Sequence, residues 1–316
     1  MSEIAVIGGG LMGHGIALVL ALGGHQVRIT DSSEAALERI PGLIAAALDT
    51  LREAGAVAAE MTGDAVNARI RRSSDLARTV DGADLVIEAI TENPEAKRTL
   101  FAELDRLCPE TTIIASNTSY LDVFPLIPAM RQRRAIVAHW YTPPYIVDLV
   151  DVVPGPETDP EVVGVVRDLV VGLGQAPIVL KRFIPGYVAN RIQSAMAAEI
   201  YHLLDEGIAS PREIYDAIIH GLALRIPVLG HLAKADFTGL ELLRHALRNA
   251  SYQPPPPRTH SDALETLCAE GRTGVMSGKG FFDWGERPPE ELFRDRDRRL
   301  LALKKAMKQV GRMEGT

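Results

Sequence analysis

One short segment near the start of the chain restricts its fold more than any other. The β-branched run Ile4-Ala5-Val6-Ile7 leads directly into Gly8-Gly9-Gly10-Leu11-Met12-Gly13, which has the spacing Gly-x-Gly-x-x-Gly. Between a strand and a helix, the three glycines allow a tight turn, a close approach to a pyrophosphate, and close packing of helix on strand. The phosphates then lie against the amide groups of the helix N-terminus, which carry partial positive charge. The cofactor contacts predicted in this loop are Gly8, Gly10, Leu11, Met12 and Gly13.

The end of the second strand-like run, Gln26 to Thr30, indicates which dinucleotide fits. Asp31 follows this run, 18 residues beyond Gly13, and a carboxylate there can accept both hydroxyl groups of a ribose. An aspartate also repels a 2′-phosphate, and the next residues are Ser32 and Ser33 rather than arginine. We therefore expect NAD rather than NADP. The alternative, a glycine-rich turn without a ligand, is disfavoured by the combination of strand, glycines, helix and aspartate.

Strand-like runs and longer amphipathic stretches alternate up to about residue 180. The later runs are 84–88, 112–115, 134–139, 149–153 and 176–181. Strand, helix and strand at this spacing predict a parallel sheet with right-handed crossovers.

The pattern changes at Ile184-Pro185-Gly186, after which strand-like alternation almost disappears. Helical spacing replaces it at 187–206, 211–220, 240–250 and in the amphipathic C-terminal segment. We predict an α/β fold, a Rossmann-type doubly wound sheet in residues 1–183, followed by an all-α C-terminal domain in residues 184–316.

The composition argues against several classes of function. The net charge is −7 and aromatic residues make up 5%, so the chain has neither the basic field nor the stacking surface of a nucleic-acid-binding protein. The longest apolar run, Gly15 to Leu22, is far shorter than the ~20 residues that span a bilayer, and Met1-Ser2-Glu3 lacks the basic start of a signal peptide. Cys108 and Cys268 are too few for a disulfide framework or a zinc cluster. We expect a small-molecule substrate, no metal, and a reducing cytoplasmic compartment.

Three polar residues stand at or near the ends of later strand-like runs. Ser119 closes the segment Ser116-Asn117-Thr118-Ser119, His139 ends the run 134–139, and Asp151 lies within the next run. In one crevice, a histidine would accept an alcohol proton, a carboxylate would hold the histidine, and a hydroxyl would bind the substrate oxygen. The alternatives are a surface histidine, a helix-capping serine and a strand-edge aspartate. By themselves, composition and pattern support a nucleotide-binding oxidoreductase and go no further.

The chain resembles the L-3-hydroxyacyl-CoA dehydrogenase family over nearly its whole length. Besides the glycine loop, the matching segments are Glu88-Ala89-Ile90-Thr91-Glu92-Asn93, Ser116-Asn117-Thr118-Ser119, His139 with Pro143, Gly186-Tyr187-Val188-Ala189-Asn190-Arg191 and Lys279-Gly280-Phe281-Phe282. The resemblance implies reversible, NAD-dependent oxidation of a 3-hydroxy group to a 3-keto group, in fatty acid metabolism. It also implies a homodimer formed through the helical C-terminal domain.

The resemblance assigns roles to individual residues as well. It implies that His139 is the acid/base and that Asp151 assists it. Ser119 would contact the substrate, and Asn190 would orient the substrate carbonyl. The implied cofactor contacts beyond the glycine loop are Asp31, Glu92, Lys97 and Asn117. The presence of the histidine, the serine and Asn190 together argues against a non-catalytic NAD-binding protein.

Three departures from the family pattern concern the substrate. The assisting carboxylate is usually glutamate, which makes Asp151 one methylene shorter, and Thr142 replaces the usual asparagine. Coenzyme A phosphates need cations, yet residues 40–67 carry four acidic residues against one arginine, a charge of −3, and the first lysine of the chain is Lys97. The cations that could substitute are Arg69, Arg71 and Arg72.

A branch of the same superfamily, which includes gulonate and carnitine dehydrogenases, acts on free hydroxy acids and is similar in two segments. The segment 139–145 resembles its His-x-x-Asn-Pro-Pro-Tyr motif, and 149–154 resembles its next strand. Trp140 and Tyr141, beside the histidine, suggest an altered pocket or simply core packing. The sequence thus leaves two forms of the substrate open. One is a coenzyme A thioester, and the other is a free acid held by arginines such as Arg191 or Arg225.

Overall fold

The computed structural model describes residues 2–58, 60–250 and 252–313, and the chain divides into two compact units, 1–189 and 190–316. One sheet forms the centre of the first unit. Its strands are β1 (Glu3–Ile7), β2 (Gln26–Thr30), β3 (Ile70–Ser73), β4 (Leu85–Glu88), β5 (Ile113–Ser116), β6 (Ala135–Trp140), β7 (Leu149–Pro154) and β8 (Ala176–Val179). Their order across the sheet, β3-β2-β1-β4-β5-β6-β7-β8, is the doubly wound arrangement that the alternating sequence predicts.

The pair β6–β7 departs from the predicted parallel sheet. The other neighbouring strands run parallel, whereas these two run antiparallel, with His139 directly opposite Asp151. Only residues 141–148 connect them, and a parallel connection needs a crossover of about a dozen residues or more. The prediction of parallel pairing was wrong here because a connection this short can only bring the chain back antiparallel.

Helices cover the sheet of the first unit. They are α1 (Gly13–Leu22), α2 (Glu34–Glu53), α3 (Gly63–Asn67), α4 (Leu76–Val80), α5 (Pro94–Leu107) and α6 (Pro160–Gly172), with 3₁₀ turns at Phe124–Leu126 and Ala129–Arg134. Strand β3 was not predicted because it is an edge strand in which only Ile70 is buried and two arginines are exposed. Side-chain caps at Ser33 and Asn93 start α2 and α5, since each accepts hydrogen bonds from first-turn amides.

The core of the first unit fixes the strand ends where the candidate site residues lie. Strands β4, β5 and β6 are buried along their whole length, as expected for strands covered on both faces. Phe101 and Leu104 of α5 pack against this sheet and are fully buried. Because the strands are held on both sides, the residues at their ends have little freedom to move.

The second unit is helical. Its helices are α7 (Ala189–Asp205), α8 (Pro211–Asp216), α9 (Ile226–Leu229), α10 (Leu232–Thr238), α11 (Leu240–Asn249), α12 (Asp262–Ala269) and α13 (Pro289–Val310), with a π-helical segment at Ala217–Ala223 and a 3₁₀ turn at Val275–Ser277. The helix predicted from residue 187 begins two residues later because Tyr187 has a positive φ of 49°. Among the described helices, none has the length and apolar character needed to cross a membrane.

Candidate active site

The glycine loop connects β1 to α1 in a conformation that only glycine allows at two points. Gly8 has φ of 101°, and a Cβ there would lie 2.5 Å from the carbonyl oxygen of Ala89. A Cβ on Gly13 would overlap the carbonyl oxygen of Gly8 itself. These approaches bring the start of α1 against the end of β1, as dinucleotide-binding loops require.

The open side of the loop suits an anionic ligand. A Cβ added to Gly10 would meet no protein atom within 4 Å, and Leu11 is 71% exposed. The first turn of α1 has no acidic residue and no side-chain cap at Met12, so its amide groups can face a pyrophosphate. His14 Nδ1 lies 2.7 Å from the Gly10 carbonyl oxygen, and burial lowers the pKa of this histidine. The residues present therefore fit a dinucleotide.

Asp31 lies next to the loop at the end of β2. Its Oδ2 accepts a hydrogen bond from the Gly9 amide at 2.7 Å, and its Oδ1 accepts one from the Ser33 amide at 2.8 Å. Each carboxylate oxygen has a second lone pair. Asp31 can thus fix the loop and still accept a ribose hydroxyl.

His139 stands at the centre of a chain of three side chains. Its Nδ1 lies 3.1 Å from Asp151 Oδ2, and its Nε2 lies 3.2 Å from Ser119 Oγ. The histidine is 3% exposed and the aspartate is fully buried. The antiparallel register of β6 and β7 is what places these two side chains opposite each other.

This geometry determines how protons can move. An ionised carboxylate only accepts hydrogen bonds, so the contact with Asp151 favours the His139 tautomer that carries its proton on Nδ1. The other ring nitrogen, Nε2, is then free to accept a proton from the side where Ser119 lies. A buried carboxylate behind the ring stabilises the imidazolium that would form. The arrangement is suited to general acid/base chemistry on a hydroxyl or carbonyl group.

Two tyrosines contact the histidine. The sequence suggested an altered pocket or core packing for Tyr141, without its contact to Asp151, and it indicated no role for Tyr187. Tyr141 donates a hydrogen bond to Asp151 Oδ2 at 2.7 Å, and its ring stands edge-on to His139 at 4.6 Å between centroids. Tyr187 lies 5.0 Å from the same ring and donates to the carbonyl oxygen of Thr118 at 2.7 Å. The signal for Tyr141 was its spacing of two residues from His139, since alternate residues of an extended segment share a face, and Tyr141 directly follows β6.

Glu92 and Lys97 lie behind the Ser119 segment. Glu92 Oε1 accepts hydrogen bonds from the Thr118 hydroxyl at 2.7 Å and from the Ser119 amide at 2.9 Å. Lys97, only 1% exposed, pairs with Glu92 at 3.3 Å and with the buried Glu88 at 2.6 Å. Burial alone would raise the pKa of Glu92, but these hydrogen bonds and the Lys97 ammonium together lower it. The predicted cofactor contacts of these two residues stay predictions.

The remaining predicted residues occupy separate places. Asn117 Oδ1 accepts a hydrogen bond from the Trp140 amide at 2.8 Å, which ties the end of β6 to the segment after β5. Thr142 donates to Met12 Sδ at 3.0 Å, so the position where the family usually has asparagine touches the glycine loop. Asn190 is the second residue of α7, in the other compact unit, and its role stays a prediction.

The arginines considered as coenzyme A ligands have other partners. Arg69 Nη1 donates to the Ala21 carbonyl oxygen at 2.8 Å, and Arg72 Nη1 donates to the Leu37 carbonyl oxygen at 3.1 Å. Arg72 thus ties the edge strand β3 to α2, and Arg69 ties the residue before β3 to α1. Arg71 is exposed. Among the described residues, no group of three or more His, Cys, Asp or Glu side chains is placed to hold a metal ion.

Known proteins match this chain along most of its length. A family model described as 3-hydroxyacyl-CoA dehydrogenase, NAD binding domain, matches residues 3–183, and the model of the C-terminal domain of the same family matches residues 186–284. A 5-formyl-3-hydroxy-2-methylpyridine 4-carboxylate 5-dehydrogenase from Mesorhizobium japonicum is 32% identical, over 96% of this chain and 98% of the relative.

Solved structures give the same result. The crystal structure of a 5-formyl-3-hydroxy-2-methylpyridine 4-carboxylic acid 5-dehydrogenase, described as an NAD⁺ dependent dismutase, superposes with a TM-score of 0.88 at 30% identity, covering 99% of this chain and 100% of that one. An (S)-3-hydroxybutyryl-CoA dehydrogenase from Ralstonia eutropha has a TM-score of 0.71 at 30% identity, covering 90% of this chain and 100% of that one. This chain therefore belongs to the 3-hydroxyacyl-CoA dehydrogenase family, and it is an NAD-dependent dehydrogenase.

Proposed function

We propose that His139 takes the proton of a substrate hydroxyl while hydride leaves the adjacent carbon. The observation that carries this proposal is the chain Ser119–His139–Asp151, with contacts of 3.2 and 3.1 Å. NAD, when bound, accepts the hydride. The proton moves from the hydroxyl oxygen to Nε2, and Asp151 stabilises the resulting imidazolium. In the reverse direction the imidazolium returns this proton to the carbonyl oxygen.

Other residues of the chain would hold the reactants. The Ser119 hydroxyl is placed to bind the substrate oxygen, and Glu92 fixes the Ser119 amide from behind. Asn190 is the proposed second donor to the substrate carbonyl. For NAD we propose the glycine loop at the pyrophosphate and Asp31 at the ribose, because the loop is open at Gly10.

We propose a free carboxylic acid, rather than a coenzyme A thioester, as the substrate. The 40–67 segment is acidic, and Arg69 and Arg72 donate to backbone carbonyl oxygens of their own unit. Each of these guanidinium groups keeps further donors, but the charge of −3 on residues 40–67 opposes binding of the coenzyme A phosphates. The Mesorhizobium japonicum relative, named for a pyridine carboxylate substrate, is also similar over nearly the whole of both chains.

The second candidate is a 3-hydroxyacyl-CoA, and the Ralstonia eutropha structure supports it. A place in fatty acid metabolism would follow only from this candidate. The two candidate substrates are distinguished by an assay of NADH oxidation, followed by absorbance, with acetoacetate and acetoacetyl-CoA in parallel. A ring substrate, 5-formyl-3-hydroxy-2-methylpyridine 4-carboxylate, is tested with NAD in a third assay. Turnover of acetoacetyl-CoA alone would overturn the free-acid proposal.

The acid/base proposal has its own test. His139→Ala should lower turnover of whichever substrate is accepted by about 100-fold or more, the usual share of a general base. Binding of NADH, followed by its fluorescence, should change little, because the glycine loop and Asp31 are untouched. Full turnover in this variant would show that His139 is not the base.

We further propose a homodimer formed through the helical unit, as the family resemblance implies. Large apolar side chains are exposed in this unit, among them Leu224, Leu232, Phe237, Leu240 and Leu247. A group of exposed large apolar side chains is typical of an interface. Analytical ultracentrifugation tests the dimer, and a monomer at micromolar concentration would contradict it. Cytoplasmic location remains a prediction from the free cysteines Cys108 and Cys268.

A further inference from the structure

Tyr141 and His139 both form a hydrogen bond with the same oxygen atom of Asp151. The Tyr141 hydroxyl donates to Asp151 Oδ2 at 2.7 Å, and His139 Nδ1 reaches the same oxygen at 3.1 Å. The other carboxylate oxygen, Oδ1, is buried and has no hydrogen-bond partner in the part of the chain that the structure describes. Both of these bonds to the buried carboxylate therefore converge on one atom.

We propose that Tyr141 is a positioning residue that lowers the proton affinity of the His139–Asp151 pair through its hydrogen bond to Asp151 Oδ2. This inference rests on the proposed function in one respect, the use of His139 as the acid/base. It concerns a residue that acts through the carboxylate and that need not touch the substrate.

The physical reason lies in how a buried carboxylate keeps its charge. Burial disfavours the ionised form, and each hydrogen bond donated to that form favours it. Without the Tyr141 hydroxyl, the Asp151 carboxylate would be more basic, and a proton anywhere on the pair would be held more tightly. A base that oxidises an alcohol must be unprotonated. The Tyr141 hydrogen bond therefore extends activity to lower pH.

The other titratable groups near the pair are engaged elsewhere. Tyr187 faces the His139 ring from the segment before α7, but its hydroxyl donates to the Thr118 carbonyl oxygen. Burial raises the pKa of Tyr187, so it is neutral at working pH, and the carboxylates of Glu92 and Asp151 add to this rise. Glu92 itself accepts hydrogen bonds from the Ser119 segment.

Tyr187 therefore provides a matched control for Tyr141. Both phenols contact the His139 ring, and only Tyr141 is bonded to the carboxylate. Tyr141→Phe keeps the ring contact and removes the hydrogen bond to Asp151. Tyr187→Phe removes the hydroxyl of a buried ring whose centroid lies at a similar distance from the imidazole, 5.0 Å against 4.6 Å for Tyr141, and leaves Asp151 with both of its donors.

The first measurement needs no substrate. The imidazole Cε1–H resonance of His139 is followed against pH by NMR in the full chain with NAD bound, and His139→Ala identifies the signal. Tyr141→Phe should raise the titration midpoint by about 0.5 to 1 pH unit, while Tyr187→Phe should match the wild type. Tyr141→Leu, which also removes the ring, should raise the midpoint at least as far.

The second measurement is the pH profile of kcat/KM for alcohol oxidation. Its acid limb should move upward in Tyr141→Phe by the same amount, which is a loss of about threefold or more below the limb, with KM little changed. Unchanged midpoints in both Tyr141 variants, or an equal shift in Tyr187→Phe, would overturn the inference. Full turnover in His139→Ala would instead overturn the proposed function, and the NMR titration would still decide the role of the hydrogen bond.

Discussion

Glu88 at the end of β4 and Asp151 in β7 are two completely buried carboxylates of the same sheet. They differ in how fully their oxygen atoms are hydrogen-bonded. Glu88 Oε1 accepts from the Ile90 amide at 2.9 Å and from Lys97 Nζ at 2.6 Å, and its Oε2 accepts from the Ser116 hydroxyl at 2.5 Å. Both oxygens of Glu88 are thus satisfied. Asp151 has one buried oxygen without a partner among the described residues.

The difference teaches how a buried charge can serve structure or chemistry. The partner of Glu88 is the ammonium group of Lys97, which forms an ion pair with it at 2.6 Å. The partner of Asp151 is the imidazole of His139, a side chain suited to general acid/base chemistry. A saturated carboxylate paired with an ammonium group stabilises the fold, whereas a half-satisfied one beside an imidazole can assist proton transfer.

The largest expected effect is the loss of catalytic activity on neutralising Asp151. Asp151→Asn should lower kcat by roughly 10²- to 10⁴-fold, because the amide neither holds the reactive tautomer of His139 nor stabilises its charge. The melting temperature should change by only a few degrees, since the side chain keeps its size. Steady-state kinetics and thermal unfolding measure the two effects. Activity close to that of the wild type would show that Asp151, like Glu88, serves only the structure.

At Glu88 we expect a change at its ion pair to affect stability rather than catalysis. Lys97→Met leaves Glu88 buried without its cation and should lower the free energy of unfolding by about 3 to 5 kcal/mol. Urea unfolding measures this loss. Lys181→Met, at an exposed lysine, is the matched control and should stay within about 0.5 kcal/mol of the wild type. A stable Lys97→Met protein would show that the buried pair contributes little.

A double variant that removes the charges of both Glu88 and Lys97 measures how strongly the two groups interact. Lys97→Met combined with Glu88→Gln should be less destabilised than the sum of the two single variants, by about 1 to 3 kcal/mol, because no unpaired charge remains buried. The same urea experiment gives the coupling energy. Strict additivity would mean that the two charges do not interact, despite the 2.6 Å contact between them.

The smallest effect concerns Glu92, which lies between the two extremes. The hydrogen bonds from Thr118 and Ser119 and the nearby Lys97 lower its pKa despite the opposing effect of burial. Its stabilising contribution is therefore complete above the ordinary value of 4.5 and is lost as the pH falls through the lowered value. Because the side chain is 41% exposed, solvent screens the effect and keeps it small.

The Glu92 prediction is tested by urea unfolding between pH 3 and 6 in the wild type and in Glu92→Gln. The wild type should lose more stability than the variant as the pH falls, since glutamine has no charge to lose. Parallel curves for the two proteins would show that Glu92 has the same pKa in the folded and unfolded chain.

Local sequence features determined a large part of this molecule. The glycine spacing after β1 predicted the dinucleotide loop, since only glycine tolerates the φ of Gly8 and the contact at Gly13. Alternating strand-like and helical runs predicted the doubly wound sheet and the helical second unit. The identities of Ser119, His139 and Asp151 indicated acid/base chemistry because hydroxyl, imidazole and carboxylate are the groups that perform it.

The tertiary structure alone decided how these groups meet. The short connection between the runs 134–139 and 149–153 indicates an antiparallel return, but the register that places Asp151 opposite His139 could not be predicted from these runs. The hydrogen bonds from Ser116 to Glu88 and from Tyr141 to Asp151 likewise join residues that are distant in the sequence and are brought together by strand register. Periodicity and composition report which residues are buried or exposed. Which donor reaches which acceptor depends on register and packing across strands, and that is settled only when the chain is folded.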